Sequence, residues 1–273
     1  MIDAWSLFAD AWLSSWCAAG LLGLLGVAVV AREQVFLGAA MAQAATAATA
    51  LALFLGAGAA SLAALHLETP LAIAAATAVA FVTGRGHRES AIALVFIGGS
   101  AMALLLVAQV PHGLQEVQRL TASSMVGASR VDTVVLAVAC ILLATAVLRW
   151  RAVLVTWLLD PAFAAAVGLR LPRLEALLAV VLGLSVGWTL QVGGLLFVLG
   201  GLVLPALAAR SLARELGTAL LLAPLLAVVL AVIGSTVSHF YDLPPAQSTV
   251  ALWALIALLA ATVGRWRTRG GTH

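Results

Sequence analysis

Charge is what this sequence has least of: 9% of its 273 residues are charged, against roughly 25% in ordinary soluble domains. Apolar side chains make up 64% of the chain and the mean hydropathy is +1.15. A water-soluble fold cannot hide that much hydrocarbon, so a soluble domain is excluded as the bulk of the protein. Lysine is absent, and the 14 basic residues, all arginine, stand singly or in small groups between apolar runs. That layout belongs to topology signals and excludes a nucleic-acid patch, despite a net charge of +3 and a pI near 9.6. Cysteine is nearly absent too. Cys17 and Cys140 lie inside apolar segments with no CxxC or Cys/His spacing, which leaves a disulfide framework or zinc motif without support and reads as two small core residues. There is no GxxxxGK[ST], HExxH or GxSxG and no pair of intramembrane acids, so neither a P-loop ATPase nor a membrane-embedded hydrolase is expected. Met1 to Asp10 carries Asp3 and Asp10 in place of a basic n-region, and the first apolar run is expected to stay as a membrane helix.

What is present is hydrocarbon in span-sized lengths. About 20 apolar residues cross the roughly 30 Å apolar layer, which gives room for about eight to ten crossings. Hydropathy and its interruptions place nine spans, at 11–31, 35–56, 70–84, 89–110, 131–149, 174–190, 193–210, 217–239 and 248–265, with eight as the alternative count. The expected fold is an all-α polytopic membrane helix bundle forming one transmembrane domain over residues 1–273. Arginine decides its orientation. With the N-terminus outside, Arg32, Arg85, Arg88, Arg149, Arg151, Arg170, Arg173, Arg210, Arg214, Arg265, Arg267 and Arg269 are cytoplasmic, and only Arg119 and Arg130 are outside. The C-terminus is then cytoplasmic. The 70–84 span is short, but removing it would send every later arginine cluster to the wrong face; its start is placed nearer Leu62. The second span is dense in small residues, among them Gly38, Ala39, Ala40, Ala42 and Ala45, which let helix backbones approach closely in lipid.

Two connections are more than loops. Residues 111–130 form a polar external segment with room for a short helix. Residues 150–173 form the longest cytoplasmic one, and within it Asp160, Pro161 and Gly168 have the order of an N-cap, an N1 proline and a C-terminal glycine. A short helix with definite ends, within about 158–170, is the expected docking element for a partner.

At these residues the sequence resembles the permease subunits of the ABC importers that take up zinc, manganese and iron. Asp160, Ala164 and Gly168 match a D-x-x-x-A-x-x-x-G cytoplasmic helix of that family. VGGLLFVLGGLVLPALAAR (Val192 to Arg210) is similar to its VGxLL run ending in PAxxAR. SHFYDLPPAQSTVAL (Ser238 to Leu252) is similar to its S-x-x-x-D-x-P-x-G motif, with Ala246 where glycine is usual. VVAREQVFLGAAMAQAATA (Val29 to Ala47) resembles its basic loop and small-residue helix opening. The likeness covers nearly the whole chain and is strongest from Asp160 onward.

The resemblance implies a multi-pass protein of the bacterial cytoplasmic (inner) membrane. It implies a homodimer working with a separate ABC ATPase and an extracytoplasmic metal-binding protein, with ATP on the ATPase and no cofactor in this chain. Asp160, Phe163, Ala164 and Gly168 would couple to the ATPase. The chain departs from the family where a G-D-x-x-x-H pattern reads Gly38, Ala39, Ala40, Met41, Ala42, Gln43. Ser123 and Ser124 stand where a Gly-Asp pair is usual, and Ile97 falls near a family histidine. The identity of a metal site is therefore unknown from sequence, and a smooth tunnel with selectivity left to the binding protein, a non-metal substrate and a divergent paralogue stay open. An ion-coupled secondary transporter is a further alternative, although Asp132, Glu89 and Glu175 lie near span ends and not at mid-membrane.

Four residues are candidates for the pathway. Asp242 lies where the eighth span emerges outside, as a cation contact or as an acid beside a turn. His239 lies one turn before it, as a co-ligand or a structural histidine. Gln43 is a pathway or interhelix contact, and Pro205 a hinge or static kink. Gln191, Gly193 and Gly194 suggest a tight turn between spans. His66, His87, His112 and His273 share no spacing and receive no site. Trp5, Trp12, Trp16, Trp150, Trp157 and Trp266 read as interfacial anchors.

Overall fold

The computed structural model describes residues 2–58, 68–83, 88–110 and 127–269. Its elements are α1 (Ile2–Ala31), α2 (Val35–Gly58), α3 (Glu68–Thr83), α4 (Arg88–Val107), α5 (Arg130–Arg149), α6 (Arg151–Leu159), α7 (Pro161–Ala166), α8 (Leu171–Leu212), α9 (Leu216–Tyr241) and α10 (Pro245–Arg269). Among the described residues there is no strand. Leu- and Ala-rich runs favour helix, and in lipid a helix satisfies its own backbone. Seven helices, α1, α2, α4, α5, α8, α9 and α10, are long and apolar enough to cross a membrane, and α3 is a shorter apolar one. All nine expected spans overlap helix. The earlier start of the third span and the short external helix fall on residues 59–67 and 111–126, which lie outside the described residues.

The expected turn at 191–194 coincides with a break at Gly194, where two helices meet. Helical structure runs from Leu171 to Leu212, interrupted in dihedral angles only at Gly194 (φ 73°, ψ 174°). At about 1.5 Å per residue, 42 residues are about twice as long as the apolar layer is thick. The break at Gly194, a conformation open to glycine alone without strain, therefore divides two span-sized pieces with no loop between them. Pro205 keeps helical angles, so the irregular point of α8 is Gly194 and not Pro205.

The chain packs as two compact units. One comprises residues 1–34, 124–169 and 200–273, the other residues 35–123 and 170–199. In the first unit α1 is the buried centre, packed on α5 and α9, with α9 on α10. Gly26 makes the closest approach: a Cβ there would stand 2.0 Å from the carbonyl oxygen of Leu202 in α8. Arg210 donates to the carbonyl oxygen of Val30 at 3.3 Å, tying α8 to the last turn of α1, where an arginine complements free carbonyls. The opening of α5 is closed by a capping box. Ser129 and Asp132 exchange bonds, and Thr133 Oγ1 donates to the carbonyl of Asp10 at 3.0 Å.

In the second unit α2 packs on α3 and α4, burying Ala39, Ala40, Met41, Ala42 and Ala45. Gln191 Nε2 donates to Thr49 Oγ1 at 3.0 Å, and Thr49 passes its own proton to the carbonyl of Ala45. Both polar side chains are thereby satisfied inside an apolar setting.

Several tryptophans are not anchors. Trp157 is buried, Trp16 is half-buried and bonded within the protein, and Trp12 walls a cavity. Trp150 and Trp266 are exposed, and the side chain of Trp5 lies outside the described residues. For Trp16 the physical reason is that indole offers both a large apolar face and an N–H, which here meets the Ser235 hydroxyl. Cys17 and Cys140 are free and half-buried.

Candidate functional site

Two places in the first unit concentrate the expected site residues, one at each end of α1. At its C-terminal end stands the α6–α7 connection. Asp160 is extended (φ −140°, ψ 90°), and its carboxylate accepts from the Phe163 N–H at 2.9 Å, with Pro161 opening α7. The other end of α7 closes as a Schellman motif. Leu169 N–H donates to the Ala164 carbonyl and Gly168 N–H to the Ala165 carbonyl, both at 3.0 Å. Gly168 has φ +90°, and a Cβ there would meet nothing within 4 Å, so glycine is required by the backbone angle and not by space.

Capping leaves a six-residue helix with a defined face. Ala164 is fully buried beneath it, while Leu159, Phe163 and Val167 are each more than half exposed. The helix is held down through α6: Trp157 is buried, and the guanidinium of Arg32, just beyond α1, lies 4.8 Å from its ring centroid. A cation over an indole face contributes about 0.5–2 kcal/mol depending on its solvation. Arg151, opening α6, sets its guanidinium against Gly217 in α9.

At the N-terminal end of α1 is a cavity of about 330 Å³ lined by Phe8, Ala11, Trp12, Ser235, Ser238, His239, Asp242, Leu243 and Pro245. His239 and Asp242 thus come together, as their spacing suggested. The His239 ring meets Trp12 edge-on, with centroids 5.6 Å apart and planes at 73°. Asp242 ends α9 in the left-handed region (φ 50°, ψ 37°), with its N–H donated to the Ser238 carbonyl. The hydroxyls are committed internally. Ser238 Oγ donates to the Leu243 carbonyl, and Ser235 Oγ donates to the Ala231 carbonyl at 2.8 Å while accepting from Trp16 Nε1 at 3.2 Å. The Asp242 carboxylate and the His239 ring nitrogens form no hydrogen bond among the described residues.

The other candidates lie elsewhere. Gln43 is half-buried in the second unit, where its backbone stands 3.2 Å from the position of a Cβ on Gly99 of α4. Ala39 is buried packing and Ile97 is exposed. Pro205 is buried in α8 of the first unit, away from the residues lining the cavity. Ser123, Ser124 and the four unassigned histidines lie outside the described residues. Among the described residues no three His, Cys, Asp or Glu side chains gather as a metal cluster. The sequence reading missed Trp12 and Trp16 as partners of the α9 end; Phe8, Trp12 and Trp16 share one stripe of α1, but in lipid that spacing does not say whether the stripe meets protein.

Span-length apolar helices, tight small-residue packing and a separately capped helix between spans define a polytopic helical membrane protein. Residues 4–264 match the model of the ABC 3 transport family, and the chain belongs to that family. It is a multi-pass protein of the bacterial inner membrane. Over 193 residues it is 24% identical to the manganese transport system membrane protein MntB of Synechocystis sp., a match covering 68% of this chain and 63% of that relative's length. PsaBC from Streptococcus pneumoniae, solved in complex with Fab, is similar in fold, with a TM-score of 0.80 and 18% identity over 95% of this chain and 93% of that one. An inward-facing conformation described as that of a metal-chelate type ABC transporter is similar too, with a TM-score of 0.70 and 18% identity over 93% of this chain and 87% of that one.

Proposed function

We propose that this chain is the permease subunit of an ABC importer that moves a divalent metal ion, manganese, zinc or iron, across the cytoplasmic membrane. Two copies form the pathway, a separate ATPase hydrolyses ATP, and an extracytoplasmic protein delivers the metal. The observation that carries the reading is α7: a six-residue helix capped at both ends, seated on Ala164 and exposing Phe163 and Val167. An exposed apolar turn with its own end caps is a preformed plug for a partner's groove, since its backbone is already ordered and little entropy is lost on docking. Family membership makes that partner an ATPase, and the manganese relative supports a metal cargo.

The arginine bias sets α7 and the C-terminus on the cytoplasmic side, and the two pieces of α8 on either side of Gly194 serve as separate spans. The cavity beside Asp242 then opens outside, where a binding protein delivers. Ala39 and Gln43 leave the second span without ionisable groups, so metal selection falls to the delivering protein, and this chain supplies a weakly coordinating route.

The test is uptake of each metal by vesicles holding the permease, its ATPase and its binding protein, with and without ATP. ATP-dependent accumulation of one metal is expected. An assembled complex with active ATPase that accumulates none of the three would replace the metal reading by a different cargo.

A further inference from the structure

Among the described residues, Asp242 and His239 line the cavity at the head of α1 without a hydrogen bond from either side chain, and the cavity has more room than a bare ion needs. We propose that it is a transfer site for a partly hydrated divalent cation, held by the carboxylate of Asp242 and one ring nitrogen of His239. The proposal rests on the metal-importer reading for the identity of the cargo, and extends it to a site and a coordination state.

Three observations carry it. The first is the polar inventory of the wall: Ser235 and Ser238 spend their hydroxyl protons on the carbonyls of Ala231 and Leu243. Beside the lone pairs of those two hydroxyls, the wall offers one carboxylate and one imidazole, a mixed oxygen and nitrogen set suited to first-row divalent ions. The second is number. Two protein groups fill a third of an octahedral shell, so water or the delivering protein supplies the rest, and the site binds weakly enough to release its cargo.

The third is size. At about 330 Å³ the cavity far exceeds the roughly 10–15 Å³ that admits one water, which leaves room for an ion that keeps part of its hydration. Phe8, Ala11, Trp12, Leu243 and Pro245 are apolar, and Asp242 is exposed at the mouth, where an arriving ion can meet its carboxylate. The His239 ring packs against Trp12 in a T-shaped contact. Asp242 is held at φ 50°, a backbone angle that Asn also tolerates, so Asp242→Asn removes the charge and leaves the turn.

The experiment uses the permease assembled with its ATPase in lipid nanodiscs, purified without a histidine tag, and Mn²⁺ alone as the probe. Bound Mn²⁺ is counted by electron paramagnetic resonance, and pulsed measurements read ¹⁴N coupling from a ligating imidazole. One weak site per chain with a single imidazole coupling is expected. His239→Phe, which keeps an aromatic ring against Trp12, should abolish the coupling; Asp242→Asn should weaken affinity about tenfold or more, judged by what even outer-shell changes cost metal sites. Absence of bound Mn²⁺ in the unaltered complex, coupling that persists in His239→Phe, or unchanged affinity in Asp242→Asn would each overturn the proposal. If Asp242→Asn instead weakens docking of the binding protein with no Mn²⁺ bound in either form, the cavity takes a basic side chain of that protein and the cation site is refuted. ATP-driven uptake by the unaltered complex is measured in parallel. No uptake of any metal there refutes the importer reading, whereas normal uptake with unchanged Mn²⁺ binding in both variants refutes the site alone.

Discussion

The α7 connection and the cavity at the head of α1 belong to the same compact unit, yet they are assembled differently. Residues 160–169 supply both caps and the exposed apolar face of α7 from consecutive sequence. The cavity needs the first turns of α1 and the 235–245 stretch, two segments from opposite ends of the chain, held together by the Trp16–Ser235 bond and the Trp12–His239 edge contact. A docking element can be encoded locally because its job is to keep one shape while a partner pushes on it. A cation site at a helix interface depends on the register of two helices, and any change in their packing reaches it.

That contrast predicts which perturbations each end feels. The largest effect is expected from Gly26→Val, which drives a side chain into the backbone of Leu202. Overpacking costs about 1–3 kcal/mol where side chains can adjust, and backbone cannot. A marked fall in the unfolding temperature and loss of Mn²⁺ binding at the cavity are expected; a stable variant with intact binding would show that the close approach is dispensable.

Gly168→Val should come next and act at the other end. A β-branched residue at φ +90° costs at least the roughly 1–2 kcal/mol of left-handed strain, and it opens the Schellman turn. ATP-driven uptake should fall at least severalfold while membrane insertion and Mn²⁺ binding stay normal. Normal transport in this variant would count against α7 as the coupling element. Asp160→Ala should be milder, removing about 1 kcal/mol of N-cap stabilisation, with partial loss of ATPase-coupled uptake and recovery in Asp160→Ser, which restores a capping oxygen. The smallest effect is expected from Arg32→Gln, which deletes the cation over Trp157 at about 0.5–2 kcal/mol; hydrogen exchange in α6 should rise before transport changes.

Much of the α7 reading was available from Asp160, Pro161 and Gly168, because capping is a matter of neighbours in sequence. His239 and Asp242 were also legible as a pair, since three residues on one helix share a side. Trp12 was not. A stripe of apolar residues in water must face protein, but in lipid both faces of a helix are apolar and periodicity loses its meaning. For the same reason nothing in hydropathy separates α1, buried along most of its length, from α5, which is largely exposed. The break in α8 was placed at Gln191 to Gly194, where Gly194 carries it, while Pro205, read as a hinge or a static kink, keeps helical angles. Proline in a helix can keep helical angles when neighbouring groups take up the freed carbonyl, so its presence does not by itself locate a bend.

The sequence alone determined that this is a multi-pass helical membrane protein, roughly where its apolar helices lie, and that a capped helix lies between two of them. Those properties follow from hydrocarbon content, helix length and cap chemistry, each set by a residue and its near neighbours. Only the tertiary structure decided that α1 is the centre of its unit, that Trp12 and Trp16 meet the end of α9, and that His239 and Asp242 line one cavity. Those depend on which apolar face meets protein and which meets lipid, and that choice is made by the fit of helix surfaces, small residue against backbone, as at Gly26 and Leu202.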